Sequence, residues 1–438
     1  MKQNYRNLTV AILGAGTVGA QVAHRLLTHR AEHASRIGAE LDVVGIAVRS
    51  LDSKRSVDLP AELLTTDAES LVVGADIVVE LMGGIEPAKT LILRALESGA
   101  DVITANKALL AAHGPELFDA ADKVGAQLYY EAAVAGAIPI IRPLRDSLAG
   151  DHVNRILGIV NGTTNFILDL MDSEGQSMEQ ALATATDLGY AEADPTADIE
   201  GFDAAQKASL LAQLAFHTAV DVEQVYREGI TKITLDQVRQ ARSQGSVVKL
   251  LAICERVAGP DGPGVSVRVH PTLVPDTHPL ASVRGANNAV FVEAEAAGSL
   301  MFYGAGAGGP ETASAVLGDI VSAARRHVVG GPGVAESTHA NLPMVDPGHI
   351  DTSYHVWLEV ADRPGVLAEI AQVFAAKDVS VETVQQSLTP DANGGPPTAT
   401  LVIQTHRAPG ESLDAVVNTL QSSDAVTRVS GVIRVEGE

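Results

Sequence analysis

Apolar and polar positions alternate in a way that divides the chain into recognisable elements. "NLTVAILGAGTVGAQVAHRLLTHR" is a short apolar run, a glycine-rich turn and a helix-period segment. "LDVVGIAVRS" is a second apolar run, followed by "ADIVVELMG", the helical "EPAKTLILRALESGA", "DVITANKALLAAHG", the helical "PELFDAADKVGA" and "QLYYEAAVAG". Apolar strands alternating with amphipathic helices predict a parallel, doubly wound sheet. After about residue 140 the pattern changes. "GPGVSVRVHPTLVP" and "NNAVFVEAEAAGSLMFYG" alternate as half-buried antiparallel strands do, and helices are expected from about Asp203 to Thr218 and over "PETASAVLGDIVSAARRH". "GGPGVAESTHANLPMVDPGHID" has little periodicity and reads as a linker. Beyond it, "SYHVWLEVADRPGVLAEIAQVFAAKDVSVETVQQS" and the strands and helix that follow form a βαββαβ unit.

The expected fold class is therefore α/β: a Rossmann-type nucleotide-binding domain, an α+β middle domain and a small βαββαβ tail. The expected boundaries are 1–140 with about 305–330 returning to the first domain, 141–304, a linker at 331–352, and 353–438.

Composition narrows the partners. The chain of 438 residues is 46% hydrophobic and 19% charged, enough for packed cores. A net charge of −23 argues against a nucleic-acid partner, which needs basic patches. No apolar run approaches the roughly 20 residues of a membrane span, and the N-terminal apolar run is too short for a signal peptide. The single cysteine, Cys254 in "SVVKLLAICERVAG", is read as a core position on an apolar helix and suits a reducing cytoplasm.

Two places carry candidate chemistry. "LGAGTVGA" sets Gly14, Gly16 and Gly19 in a GxGxxG pattern between a strand and a helix, with Thr17 and Val18 inside it. Gly14 permits the tight turn, Gly16 lets a pyrophosphate approach the backbone, and Gly19 allows close helix–sheet packing. The second strand ends in "AVRSLDSKR". Arg49 there favours a 2′-phosphate, so NADP(H) is expected in preference to NAD(H). Lys54 and Arg55 fit the same role or a solvated surface equally well.

The second place is "YAEADPTADIEGFDAAQKASLLA", where Glu192, Asp194, Asp198, Glu200 and Asp203 precede Lys207. A solvated acidic run with an ordinary Asp203–Lys207 pair explains it, as does a metal site or an active site. Hydride transfer needs a proton donor at the carbonyl, and Lys107, after "ITAN" at a strand end, and Lys207 are the candidates.

Taken together, "AILGAGTVG", "TANK", "EAAVAGAIPII", "NGTTNFIL", "LGYAEADPTADIEGFDAAQK" and "GAGAGGPETASAVLGDI" resemble the homoserine dehydrogenase family over essentially the whole chain. The resemblance implies interconversion of aspartate 4-semialdehyde and homoserine with NAD(P)H, on the branch to threonine and methionine. It makes Lys207 the proton donor and places Lys107 near nicotinamide and substrate. Glu192 and Asp203, with Asp198 in the same shell, become substrate-binding acids. Gly189 and Gly308 are assigned to the cleft. Glu131, Val134, Gly136 and Ile138 match a sodium-binding loop that uses mainly backbone carbonyls. "ADRPGVLAEIAQVF" resembles the ACT domain, which implies an amino-acid effector, usually threonine, and a homodimer or homotetramer. The alternatives are another amino-acid dehydrogenase or a non-catalytic amino-acid sensor. A fused aspartate kinase is not expected, because the chain opens on the nucleotide domain.

Overall fold

The computed structural model describes residues 5–260, 262–331, 337–389 and 398–437. They divide into two compact units. One contains 1–162, 203–225 and 286–341; the other contains 163–202, 226–285 and 342–438.

The first unit is built on a six-stranded parallel sheet. Its strands are β1 (Leu8–Leu13), β2 (Leu41–Ala47), β3 (Leu64–Thr65), β4 (Ile77–Glu80), β5 (Asp101–Thr104) and β6 (Leu128–Tyr129), in the spatial order β3-β2-β1-β4-β5-β6. The helices α1 (Thr17–Thr28), α2 (Arg30–Ile37), α3 (Ala68–Val72), α4 (Ala88–Glu97) and α5 (Lys107–Val124) connect them. Leu8, Val10, Ile12, Ile46, Ile77, Val79 and Ile103 are buried in one core cluster. Burial on both faces explains why these strands are mostly apolar and do not alternate. The helix Gly309–Val329 adds Ala313, Val316, Ile320 and Ala323 to the same core. Strands Val153–Ile159, Asn287–Ala294 and Gly298–Ala305 form an antiparallel ladder with Asn287–Ala294 in the middle. The helix Phe202–Phe216 is buried along most of its length.

The second unit holds the helices Met178–Asp187 and Leu235–Ser243. Each starts at a capping box, Ser177 with Gln180 and Thr234 with Gln237. Its long hairpin pairs Ser246–Gly259 with Gly262–Pro275, in register from Gly259↔Gly262 to Ser246↔Pro275. The segment around Cys254 is thus a strand rather than a helix. A fully buried apolar run carries no period that separates the two. Burial also pushes the Cys254 thiol up to about 12.

The C-terminal strands Asp351–Ala361, Val381–Thr389, Thr398–Thr405 and Val426–Val435, with helices Val366–Ala375 and Gly410–Gln421, complete the βαββαβ pattern. They bury their own cluster around Tyr354, Leu358, Ile370, Phe374 and Leu401. The last strand also pairs in parallel with Gly262–Pro275, through Thr272↔Arg434 and Leu273↔Val435.

Of the expected linker, 332–336 lies outside the described residues. The rest is not a free tether: Val265 N–H donates to Pro343 O at 2.9 Å, and Val345 N–H donates to Val265 O at 2.8 Å. An aperiodic sequence met a strand edge and took its hydrogen bonds there. No helix among the described residues is long and apolar enough to cross a membrane.

Candidate functional site

β1 ends at Leu13, and the chain turns through Gly14–Gly16 into α1. Gly14 has φ +102°, and a Cβ there would lie 2.7 Å from Leu81 O. A Cβ on Gly19 would lie 2.0 Å from Gly14 O, so the helix can sit this close only with glycine. Gly16 faces open space within 4 Å. That is the room a phosphate needs to reach the backbone N–H groups at a helix start. The adjoining cleft has a volume of about 650 Å³ and is lined by Gly14, Gly16, Arg49, Lys54, Arg55 and Glu86, among others. Arg55 is tied back to its own loop, donating to the carbonyls of Ser50, Leu51 and Ser53 at 2.9–3.2 Å. Arg49 and Lys54 are thus the lining cations without that tether. A glycine turn beside cations fits a phosphorylated dinucleotide.

Thr17 and Val18 open α1. Thr17 packs where Gly309 lacks a side chain: a Cβ on Gly309 would lie 2.9 Å from Thr17 Cγ2. Gly308, at φ +132°, caps the helix Gly309–Val329.

Lys107 is the first residue of α5 and follows β5 closely. Its backbone is set by a chain of buried polar groups. Glu80 accepts the N–H groups of Met82 and Gly83 and the Thr104 hydroxyl at 2.7–3.1 Å. Thr104 Oγ1 accepts Asn106 N–H at 3.0 Å, and Asn106 caps α5 by accepting Leu109 N–H at 3.2 Å.

Asp203 and Lys207 share one face of the helix Phe202–Phe216, as their spacing implies. Lys207 Nζ lies 2.7 Å from Asp203 Oδ2, and Lys107 Nζ lies 2.5 Å from Asp203 Oδ1. Asn161 Nδ2 donates to Asp203 Oδ2 at 2.9 Å. Lys207 Nζ also donates to Val160 O at 2.7 Å, a carbonyl shared with Asn288 Nδ2 at 3.0 Å. The Asp203 side chain is 7% exposed and that of Lys207 10%, whereas Lys107 is 41% exposed. Burial alone would raise the Asp203 carboxyl. The ammonium groups of Lys207 and Lys107 overcome it and hold Asp203 well below the usual carboxylate range. The Asp203–Lys207 pair is an i,i+4 ion pair, but a buried one with a second lysine attached. One carboxylate between two ammonium groups leaves a net positive charge, with Lys107 on the open side. Such an arrangement can meet a carbonyl oxygen and supply it with a proton.

Glu192, Asp198 and Gly189 belong to the other unit. Gly189, at φ +79°, turns the chain just beyond the helix Met178–Asp187. Thr163 Oγ1 donates to Tyr190 O at 2.7 Å, and the Tyr190 ring lies 4.5 Å from that of Phe166. Glu192 is exposed, while Asp198 is half-buried within the short helix Thr196–Ile199. Among the described residues no three His, Cys, Asp or Glu side chains converge as a metal site.

In the loop at 131–138 the Glu131 side chain turns inward. Its carboxylate accepts the N–H groups of Ile140, Ile141 and Arg142 and Arg142 Nε–H at 2.6–3.0 Å. It therefore pins the loop rather than facing an ion. Ala135 and Gly136 have φ of 57° and 59°, and a Cβ on Gly136 would lie 2.2 Å from Gly306 O. The Ala135 carbonyl is taken by Ile138 N–H. Val134, Gly136 and Ile138 are buried residues of the same loop. Backbone carbonyl oxygens are the donor type that a hard cation takes.

Asn161, Asn288, Glu80, Thr104 and Asn106 were not singled out from sequence. Asn161 lies inside "NGTTNFIL", where the motif was the available signal. Asn288 carried none: it looks like one more polar residue at a strand start.

Residues 14–131 match a family model described as the homoserine dehydrogenase NAD binding domain, 139–321 one described as homoserine dehydrogenase, and 358–424 one described as the ACT domain. A homoserine dehydrogenase of Mycobacterium bovis is 54% identical over 432 residues, covering 98% of this chain and 97% of its own. The crystal structure of a homoserine dehydrogenase from Thiobacillus denitrificans matches with a TM-score of 0.91 at 39% identity, over 99% of each chain. A hyperthermophilic archaeal homoserine dehydrogenase in complex with NADPH matches with a TM-score of 0.63 at 29% identity, over 75% of this chain and 99% of that one.

Proposed function

The chain belongs to the homoserine dehydrogenase family of oxidoreductases, and from that premise we propose that it interconverts L-aspartate 4-semialdehyde and L-homoserine with NADP(H) preferred over NAD(H). The observation that carries the chemistry is Asp203 held between Lys107 and Lys207. The cofactor, when bound, supplies or accepts the hydride. Gly14, Gly16, Thr17, Val18, Gly19 and Arg49 hold it, and the family resemblance adds Gly189 and Gly308 to the cofactor-binding residues. Lys207 donates a proton from Nζ to the carbonyl oxygen and takes it back in the reverse direction. Asp203 orients Lys207 by accepting one of its N–H groups, and the Val160 carbonyl fixes a second. Lys107 steers the polar end of the substrate. Glu192 and Asp203, with Asp198 in the same shell, bind the substrate, whose ammonium needs a carboxylate partner. The carbonyls of Glu131, Val134, Gly136 and Ile138 hold a structural sodium ion.

The tail from about Ser353 acts as the ACT regulatory module for an amino-acid effector, threonine first among the candidates, in a cytoplasmic homodimer or homotetramer. Flux then enters threonine and methionine synthesis. The decisive assay is oxidation of NADPH and NADH with aspartate semialdehyde, with and without threonine. No oxidation with either cofactor rejects the activity. Arg49→Ala should weaken NADPH about tenfold to a hundredfold more than NADH, the scale of one charge-assisted contact. Equal weakening removes Arg49 from the choice of cofactor.

A further inference from the structure

Between the acidic segment and the C-terminal module lies a five-residue stretch, Tyr226–Ile230, that touches both. Tyr226–Arg227 pairs in parallel with the strand Gly262–Pro275, through Arg268↔Tyr226 and Val269↔Arg227. Glu228 N–H continues that ladder to Val269 O at 2.8 Å. The stretch is therefore anchored to a long strand and is not a loose loop.

On one side it grips the end of the acidic segment. Arg227 Nη1 donates to Glu200 O at 2.5 Å, and its guanidinium carbon lies 3.5 Å from the centre of the Phe202 ring. Ile230 N–H donates to Ile199 O at 2.8 Å. A Cβ on Gly229 would lie 2.2 Å from Ile199 O and 2.5 Å from Glu200 Cα, so only glycine allows this approach. Gly201, at φ +80°, leaves its would-be Cβ 3.3 Å from Arg227 Cγ. The carbonyls of Ile199 and Glu200 close the helix Thr196–Ile199, which carries Asp198. A cation at that terminus satisfies orphan carbonyls and complements the local dipole. Arg is suited to the place because its flat guanidinium can donate in its plane and stack on an aromatic face at once.

On the other side the stretch is held by Arg434, on the last strand. Its guanidinium lies 4.9 Å from the Tyr226 ring centre and 5.3 Å from that of Tyr354, itself in the core of the C-terminal module. Arg434 Nη2 donates to the Tyr226 hydroxyl at 3.3 Å, and Nη1 lies 3.5 Å from Glu228 Oε2.

We propose that Arg227 is a positioning residue for the substrate-binding acid Asp198, and that Tyr226–Ile230 transmits the packing of the C-terminal module to it through Arg434. This rests on the reading that Asp198 is one of the acids that bind substrate. Any change that shifts the last strand moves Arg434, and with it the group that fixes the turn at 199–202.

The test uses the full chain. Arg227→Met should raise KM for homoserine roughly tenfold, the scale of one charge-assisted hydrogen bond. KM for NADP+ and the unfolding midpoint should stay put, and Arg227→Lys should recover part of the loss. A merely structural arginine would move the melting curve or both KM values together, and that result rejects the positioning role. Asp198→Asn is measured alongside. If it raises KM for homoserine while Arg227→Met does not, positioning fails and substrate binding stands. If neither variant changes KM, the substrate-binding reading fails first. Arg434→Gln is followed by hydrogen exchange. Faster exchange across 190–202 as well as 226–230 supports transmission. Acceleration that stops at 226–230 overturns it.

Discussion

Two buried charge clusters in this protein are near mirror images. In one, the carboxylate of Asp203 sits between two lysines, and in the other the guanidinium of Arg268 sits between two glutamates. Arg268 Nη2 lies 2.8 Å from Glu436 and Nη1 2.5 Å from Glu255, with the three side chains 3%, 2% and 12% exposed. Burial works against the Arg268 charge, and the two carboxylates outweigh it and raise its pKa. Every partner there is sealed among the strands of the C-terminal half. The Asp203 cluster has the same economy of opposite charges but one open flank, Lys107 at 41% exposed. A closed cluster can only hold strands together. An open one can exchange a protein partner for a substrate group, and its surplus positive charge suits an oxygen gaining negative charge.

The comparison breaks most visibly at Arg268. Arg268→Met strands two buried carboxylates and should cost about 3–5 kcal/mol in denaturant unfolding. Turnover per folded molecule should stay near that of the parent. Loss of turnover without loss of stability would make this cluster catalytic and erase the distinction.

Lys207→Ala should do the opposite. Turnover should fall by about 10² or more, the usual scale for a general acid, with NADPH binding retained in a direct titration. A variant with normal turnover would leave Lys207 as one half of a structural ion pair.

The smallest effect is in the acid limb of stability. Asp203 titrates below its usual range when folded, so the unfolded chain takes up its proton first as the pH falls. Its contribution is complete above the unfolded carboxylate value, near ~3.9, and is lost as the pH drops through the folded value. Asp203→Asn should therefore flatten the loss of stability below about pH 4. An unchanged acid limb would mean that the two lysines do not stabilise the Asp203 charge.

The nucleotide-binding sheet was legible because its signals are local. Gly14, Gly16 and Gly19 state their backbone geometry in the residue type itself, and β1 and β4 announce burial on both faces by runs that are mostly apolar rather than alternating. Lys107 was legible for the same reason, as it follows a strand end at the edge where α/β sheets bind ligands. The strand around Cys254 was not, because a continuous apolar run has no period to tell helix from strand. The bonds that the Gly/Pro-rich stretch before residue 352 makes through Pro343 and Val345 were not legible, because backbone hydrogen bonds to a distant strand edge leave no mark on composition.

By itself, then, the sequence determined which segments could be strands or helices, where a dinucleotide could approach the backbone, and that Asp203 and Lys207 would share a helix face. Only tertiary structure decided that Lys107, nearly a hundred positions earlier, would complete the triad on Asp203, or that Asn161 would join it. It also decided that Glu131 would spend its carboxylate on the backbone of its own loop. The physical reason is range. Propensity, glycine geometry and helical spacing act over a few residues, whereas the state of a buried charge is set by whichever groups folding brings within a few ångströms of it.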